Sequence, residues 1–370
     1  MKRCRRCIMP ESYPGISFNS EGICSLCLDY RPDHRPLGKE KLVEILNSST
    51  RTSAYDCVVP ISGGKDSTFI LYYAVKQLNL NPIAVTYDSG FQTAIAEENR
   101  TNACRILSVP LVVVKSPQDS QSQLLSESLL ISQKVGHLTQ FCGNCEAIIR
   151  MVSMNTAKSY GVPYVLWGSS ALETLSNANY EKYRSIGQSK KAAPSSFLSS
   201  TRRRIGAVLR NPRRIREIPR MIYPQVGYHA IKYDLLSIFQ RLRLDFPIKY
   251  ALTPHSIPPF AEHDPKFVHF YDYIAWDSME NMRILKDELN WKHPIDRPSR
   301  FDCSIHCLHN YEYLRRYGIS HDGVNFCNFI RDNKMSRKEG MAREDHIRNS
   351  VDGECRELIE RVGLEHYRMP

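Results

Sequence analysis

No uninterrupted apolar run in the 370 residues is long enough to cross a membrane. No signal-peptide pattern is seen at the start either, since Met1-Lys2-Arg3-Cys4 runs straight into a cysteine pair of metal-binding type, so no secretory leader is expected. Together these absences make the cytoplasm the expected address. A disulfide framework is likewise not in view: most of the 12 cysteines lie in close pairs suited to a metal. Acidic residues almost vanish from one stretch. From Glu181 to Arg220, 12 Lys/Arg stand against Glu181 and Glu217 alone, which places a charge of +10 there, against +11 for the whole chain. Such a run suits RNA, an acidic membrane surface, a polyanionic substrate or an acidic partner, and equally a solvated insertion. Few aromatics interleave with its arginines, which argues against base stacking.

What is present is a globular composition, 42% hydrophobic and 24% charged. The length gives room for two domains, or one large domain with additions. The expected division is a zinc ribbon over 1–30, an α/β domain over 31–180, a basic insertion over 181–225 and a helical region over 226–370. Cys4-x2-Cys7 and Cys24-x2-Cys27, with 16 residues between the pairs, have the spacing of a Cys4 ribbon. In such a ribbon two knuckles give four thiolates to one tetrahedral Zn2+. Pro10, Pro14-Gly15, Asn19 and Glu21-Gly22 between them are turn formers. So small a module could scarcely fold without its metal, and a closed ligand set points to scaffolding or partner contact.

After a polar linker and a short helix near Lys39–Leu46, strands and helices alternate. Strands are expected at Asp56–Ile61, Pro82–Tyr87, Pro110–Val114 and Tyr164–Trp167. Helices are expected from the first loop to about Asn79, and at Ala94–Leu107, Ser120–Val135 and Glu146–Ser159. Repeated βα units with β-branched runs imply a parallel, doubly wound sheet covered on both faces. Ligands then bind at the carboxyl ends of the strands. That rim carries Ser62–Ser67, Tyr87-Asp88-Ser89 and Gly168-Ser169-Ser170, fit for phosphates, for adenine and ribose, and for an activated substrate in turn. Ordinary strand-to-helix turns are the plainer reading of the last two.

The first of these, Ile61-Ser62-Gly63-Gly64-Lys65-Asp66-Ser67-Thr68, joins a buried strand to a helix. Two glycines let the backbone approach a polyphosphate, and the positive end of the helix faces it. Ser62, Ser67 and Thr68 add hydroxyls, Lys65 adds a charge, and Asp66 suits either a Mg2+ ion or a helix cap. The spacing is not that of a Walker A loop, which needs four residues between its first Gly and Gly-Lys. A third pair, Cys142-x2-Cys145, opens a helix, whose dipole favours thiolates. With Cys303 it would make a three-cysteine site for an iron–sulfur cluster or an open zinc. His306 and Cys307 are less favoured partners, and a structural zinc with a fourth ligand or plain reduced thiols stay open. Further on, helices are expected at Tyr273–Leu289, Tyr311–Tyr317, His321–Arg331 and Ser336–Ile347, with Ser336 and Glu339 as a capping box. The Tyr and Trp residues of this half read as packing.

Two resemblances follow from these residues. The Ser62–Ser67 loop resembles the PP-loop of ATP pyrophosphatases, which split ATP between its α and β phosphates and transfer AMP to an oxygen of the substrate. Cys4-Arg5-Arg6-Cys7-Ile8-Met9-Pro10, Pro14-Gly15-Ile16-Ser17-Phe18 and Glu21-Gly22-Ile23-Cys24-Ser25-Leu26-Cys27 resemble the start of the N-acetyl sugar amidotransferases (WbpG-type) of O-antigen and other surface-sugar pathways. So do Tyr55–Ser67, Asp272-Tyr273-Ile274-Ala275-Trp276-Asp277, Ile330-Arg331 and Met335-Ser336-Arg337. One departure is Gly168-Ser169-Ser170, where that family would carry Gly-Glu-Asn; Glu173 is the nearest carboxylate.

The resemblance implies ATP, Mg2+ and Zn2+ as cofactors, and an N-acetyl or carboxyl group of a sugar or nucleotide-sugar as acceptor. Ammonia would come from a partner glutaminase subunit, because this chain carries no glutaminase signature. Lys65 and Asp66 would be catalytic. Ile61, Ser62, Gly63, Gly64, Lys65, Asp66, Ser67, Thr86, Tyr87, Asp88 and Gly168 would bind ATP. The alternative is a PP-loop tRNA thiolase, with an iron–sulfur cluster on Cys142, Cys145 and Cys303 and tRNA on the basic stretch.

Overall fold

The computed structural model describes residues 2–30, 36–48, 53–116, 125, 141–168, 265–294, 300–361 and 363, with side chains left undescribed at 141–144 and 147. Among the described residues five strands form one sheet: β1 (Cys57–Pro60), β2 (Pro82–Asp88), β3 (Leu111–Lys115), β4 (Tyr164–Trp167) and β5 (Lys266–His269). The spatial order is β3-β2-β1-β4-β5 and every neighbouring pair is parallel. Chain order therefore reverses between β1 and β4, the switch point at which such sheets hold their ligands.

Nine α-helices are described: α1 (Ser25–Leu28), α2 (Lys39–Asn47), α3 (Lys65–Lys76), α4 (Ala94–Ile106), α5 (Phe141–Ser159), α6 (Ser278–Leu289), α7 (His306–Tyr317), α8 (His321–Arg331) and α9 (Arg337–Arg361). Side chains alternate across the sheet, as the pleat requires. Val58, Ile83, Val85, Tyr87 and Val165 turn to one face and pack on Ile148, Val152 and Ala157 of α5. Cys57, Val59, Ala84 and Leu166 turn to the other, against Phe69, Ile70 and Leu71 of α3, Ala96 and Ala103 of α4, and Leu285 and Leu289 of α6. Fully buried side chains such as Ile70, Leu71 and Leu285 each contribute about 1.5–3 kcal/mol. The expected doubly wound α/β sheet is the architecture observed.

The second core joins the two ends of the chain. Ile8, Met9 and Tyr13 pack with Leu308, Tyr311 and Tyr313 of α7, Val324 and Phe326 of α8, and Ile347 and Val351 of α9. Arg3 donates to the Gly318 carbonyl at 3.1 Å, and Ser12 Oγ donates to that of Tyr317 at 2.6 Å. The ribbon is thus a wall of the helical unit.

Several elements differ from expectation. β5 lies in a stretch expected to be helical, and hydrogen-bonds along β4. α6 starts at Ser278, not Tyr273, because Asp277 accepts the Met279 and Glu280 N–H groups at 3.0 Å each and fixes the helix start there. α7 begins five residues early at His306, and α9 runs on to Arg361. Ser336 Oγ does accept the Glu339 N–H at 3.1 Å, but the Glu339 carboxylate pairs with Arg343. The helix expected at Ser120–Val135 lies outside the described residues apart from Leu125. The basic stretch, Ser169, Ser170 and Glu173 lie wholly outside them. Among the described residues no helix is long and apolar enough to cross a membrane.

Candidate active site

The loop after β1 is a closed turn. The Ser62 N–H donates to Ser67 Oγ at 3.1 Å, the two hydroxyls lie 3.1 Å apart, and the Gly64 N–H donates to Ser62 Oγ at 3.2 Å. Thr68 Oγ1 donates back to the Gly64 carbonyl at 2.8 Å. Gly63 sits at φ +91°, and a Cβ there would meet the Ala96 carbonyl oxygen of α4 at 1.9 Å. Only glycine fits that contact. The Gly63 carbonyl is held by Trp291 Nε1 at 2.9 Å and Asn99 Nδ2 at 3.4 Å. Beyond the turn the first N–H groups of α3 have no acceptor within the helix, so their positive end is left for an anion.

Lys65 and Asp66 form one wall. Lys65 Nζ donates to Asp66 Oδ2 at 2.6 Å, and Trp276 Nε1 donates to Asp66 Oδ1 at 2.7 Å. The ammonium also lies 5.0 Å from the centre of the Trp276 ring. Trp276 stacks on Phe329 of α8, ring centres 4.9 Å apart, and its carbonyl accepts from Lys334 at 2.8 Å. On the other flank stands a second carboxylate. A Cβ on Gly64 would come within 3.3 Å of Asp302 Oδ2. His293 lies between Trp291 and Phe301, and burial pulls its pKa below the usual histidine range.

The remaining expected nucleotide residues are divided by the pleat. Ile61 follows β1, buried, with its N–H on the Val85 carbonyl at 2.8 Å. Thr86 faces the α3–α4 side, where Arg100 reaches it at 3.4 Å. Tyr87 packs on the opposite face with α5. Asp88 Oδ1 accepts the Gly90 N–H at 2.9 Å, so that carboxylate caps its own turn. Gly168 follows β4, and a Cβ there would come within 3.0 Å of Ile70 Cδ1. Arg100 is only 4% exposed, and its Nε has no partner among the described residues. A buried guanidinium so placed, one strand from the loop, suits a phosphate or ribose oxygen.

The ribbon cysteines converge. Cys4 and Cys27 sulfurs lie 3.9 Å apart and those of Cys7 and Cys24 3.8 Å, close to the spacing of about 3.8 Å around a tetrahedral zinc with bonds of about 2.3 Å. Backbone N–H groups of Cys7 and Cys24 point at Cys4 Sγ at 3.4 and 3.3 Å. Four thiolates around Zn2+ carry a net negative charge, and Arg331 is buried beside them with Nη2 3.9 Å from Cys7 Sγ. Burial opposes the guanidinium charge, but the sulfurs of Cys327, Cys7 and Cys27 more than offset this and raise its pKa. The donor set fits zinc. Of the second expected metal trio, Cys145 is half-buried on the α5 face, Cys303 packs beside the ribbon core, and the Cys142 side chain lies outside those described.

Trp276, Trp291, Asn99 and Asp302 as neighbours of the loop, and Arg100 as the partner of Thr86, were missed in the sequence. A polar stripe on α7 was also missed, although its spacing is visible in the sequence. No family model matches the chain. Over 156 residues it is 24% identical to an uncharacterized protein of Methanocaldococcus jannaschii, covering 41% of this chain and 53% of that one. Among solved structures it is similar to an NH3-dependent NAD synthetase from Campylobacter jejuni, at 19% identity and a TM-score of 0.27, over 37% of this chain and 57% of the other. It is also similar to an NMN synthetase from Francisella tularensis, at 24% identity and a TM-score of 0.25, over 36% and 54%. The chain thus spans just over half the length of each of these relatives.

Proposed function

We propose that this chain is a cytoplasmic ATP-dependent amidotransferase of the PP-loop type, acting on the N-acetyl or carboxyl group of a surface sugar. The observation that carries the reading is the Ser62–Ser67 turn at the switch point, with Lys65, Asp66 and Asp302 gathered at its mouth. The substrate oxygen attacks the α phosphorus, and the bond to the β phosphate breaks with its electron pair leaving on pyrophosphate. Ammonia then attacks the activated carbon and AMP departs, giving an amidine or an amide.

The α3 N-terminus and Lys65 stabilise the charge that grows on the leaving pyrophosphate. For Lys65 to do so it exchanges its Asp66 partner for phosphate. A Mg2+ held by Asp66, with Asp302 opposite, would neutralise part of the same charge when bound. Trp276 keeps Asp66 oriented through that exchange. Thr86 and Arg100 line the nucleotide side. Ammonia comes from a separate glutaminase subunit. The similarity of the ribbon and of the Asp272–Asp277 stretch to the sugar amidotransferases supports the sugar acceptor.

The test is pyrophosphate and AMP release from ATP with N-acetylated nucleotide-sugars and free ammonium, followed by mass analysis of the sugar. Release that needs both sugar and ammonium, and is lost in Lys65→Ala, is expected. Release that instead requires RNA would overturn the sugar reading while keeping the ATP site.

A further inference from the structure

We infer a second metal site, for a zinc-type dication, between α7 and α8 and built from His306, His321 and Asp322. It lies outside the loop, the ribbon and the Cys142–Cys145 pair. On α7, His306, His309, Asn310 and Tyr313 recur at i, i+3, i+4 and i+7, which sets them on one face of the helix. The start of α8 folds against that face and brings His321 and Asp322 into it. One ligand atom from each of His306, His321 and Asp322 lies within 4.8 Å of the other two. Ligands of a tetrahedral ion with bonds of 2.0–2.2 Å stand about 3.4 Å apart, so closure asks for movements of about an ångström.

The side chains are already aimed inward. His306 Nε2 lies 2.8 and 2.9 Å from the two Asp322 oxygens. His321 Nδ1 is buried and has no hydrogen-bond partner among the described residues. A buried nitrogen left without a partner is unfavourable, and a bound cation would satisfy it. His309 adds a third imidazole, its ring centre 5.1 Å from that of His321.

Outer contacts of the kind that orient metal ligands are also in place. Asn310 Nδ2 donates to Asp322 Oδ2 at 3.0 Å, and Asn310 Oδ1 accepts the Asp322 N–H at 3.0 Å. His306 and Asp322 are buried, whereas His321 keeps partial exposure and offers the way in. Imidazoles with one carboxylate select zinc and its first-row neighbours over Mg2+ or Ca2+, which prefer all-oxygen sites.

The experiment uses the full chain, stripped with chelator, dialysed against Zn2+ and analysed for metal content and zinc X-ray absorption. Wild type is expected to show a sulfur shell from the ribbon together with a nitrogen/oxygen shell and imidazole outer scattering. His321→Gln should hold one fewer zinc per chain and lose the imidazole signal. Asn310→Ala keeps every ligand and should weaken that zinc by about 10–100-fold. An all-sulfur spectrum in wild type overturns the site without recourse to any variant. So does equal zinc content in wild type and a folded His321→Gln, which would leave the cluster as a buried His306–Asp322 ion pair.

Discussion

Gly63→Ala separates the geometry of the loop from the bare presence of its charged residues. At φ +91° an alanine is strained, at a cost of about 1–3 kcal/mol. The new methyl also meets backbone, at 1.9 Å from the Ala96 oxygen, 2.7 Å from its carbonyl carbon and 3.0 Å from its Cα. No rotamer relieves a backbone clash, so the loop or the first turn of α4 must move, at about a further 1–3 kcal/mol. Gly90 supplies the control, with φ +77° and nothing within 4 Å of its would-be Cβ. Gly90→Ala carries the strain alone. Denaturant midpoints should therefore place Gly63→Ala below Gly90→Ala by about 1–3 kcal/mol. Pyrophosphate release should fall about 100-fold or more in the first variant, since a displacement of about 1 Å at reacting groups has that effect. It should stay near wild type in the second. Equal stability in the two variants, with turnover retained in Gly63→Ala, would refute the close approach of α4 and the role given to the loop.

Trp276→Phe removes the 2.7 Å hydrogen bond to Asp66 but keeps a ring on Phe329. A bond to a charged group is worth about 1.5–3 kcal/mol, so kcat/KM for ATP should drop about 10–100-fold at unchanged near-ultraviolet circular dichroism. Cys24→Ser should cost the ribbon its zinc and, through the shared core, lower the thermal midpoint of α7–α9 with it. Loss of zinc with the helical melt unmoved would show the ribbon to be an independent module.

The α/β half was legible because its signals are local. β1 to β4 are largely apolar runs of four to seven residues, and each is set off by turn residues or a helix start. β5 is only Lys266-Phe267-Val268-His269, and its pairing with β4 bridges a long stretch of chain, so periodicity had nothing to count. The loop motif was readable; the residues that hold it were not. Trp276 meets Asp66 across 210 positions and Trp291 meets Gly63 across 228. Cysteine spacing told which four thiols meet, but nothing in it announces Arg331. The histidine stripe did carry a helical signal, but its partners His321 and Asp322 arrive only once α8 folds back.

The union of the ribbon with the last helices has a consequence for how the chain is made. Cys7 and Arg331 are 324 positions apart. At synthesis rates of about 5–20 residues per second, the four thiols wait roughly 15–60 s before the guanidinium that offsets their charge has been made. Ile8 and Met9 stay exposed for about as long, since they are covered by α7–α9. Zinc taken up early would hold the knuckles closed through that interval and leave a preformed surface for α7–α9 to fold upon. A shortage of metal should then show as a lower yield of folded protein, before it shows in the activity of the molecules that do fold.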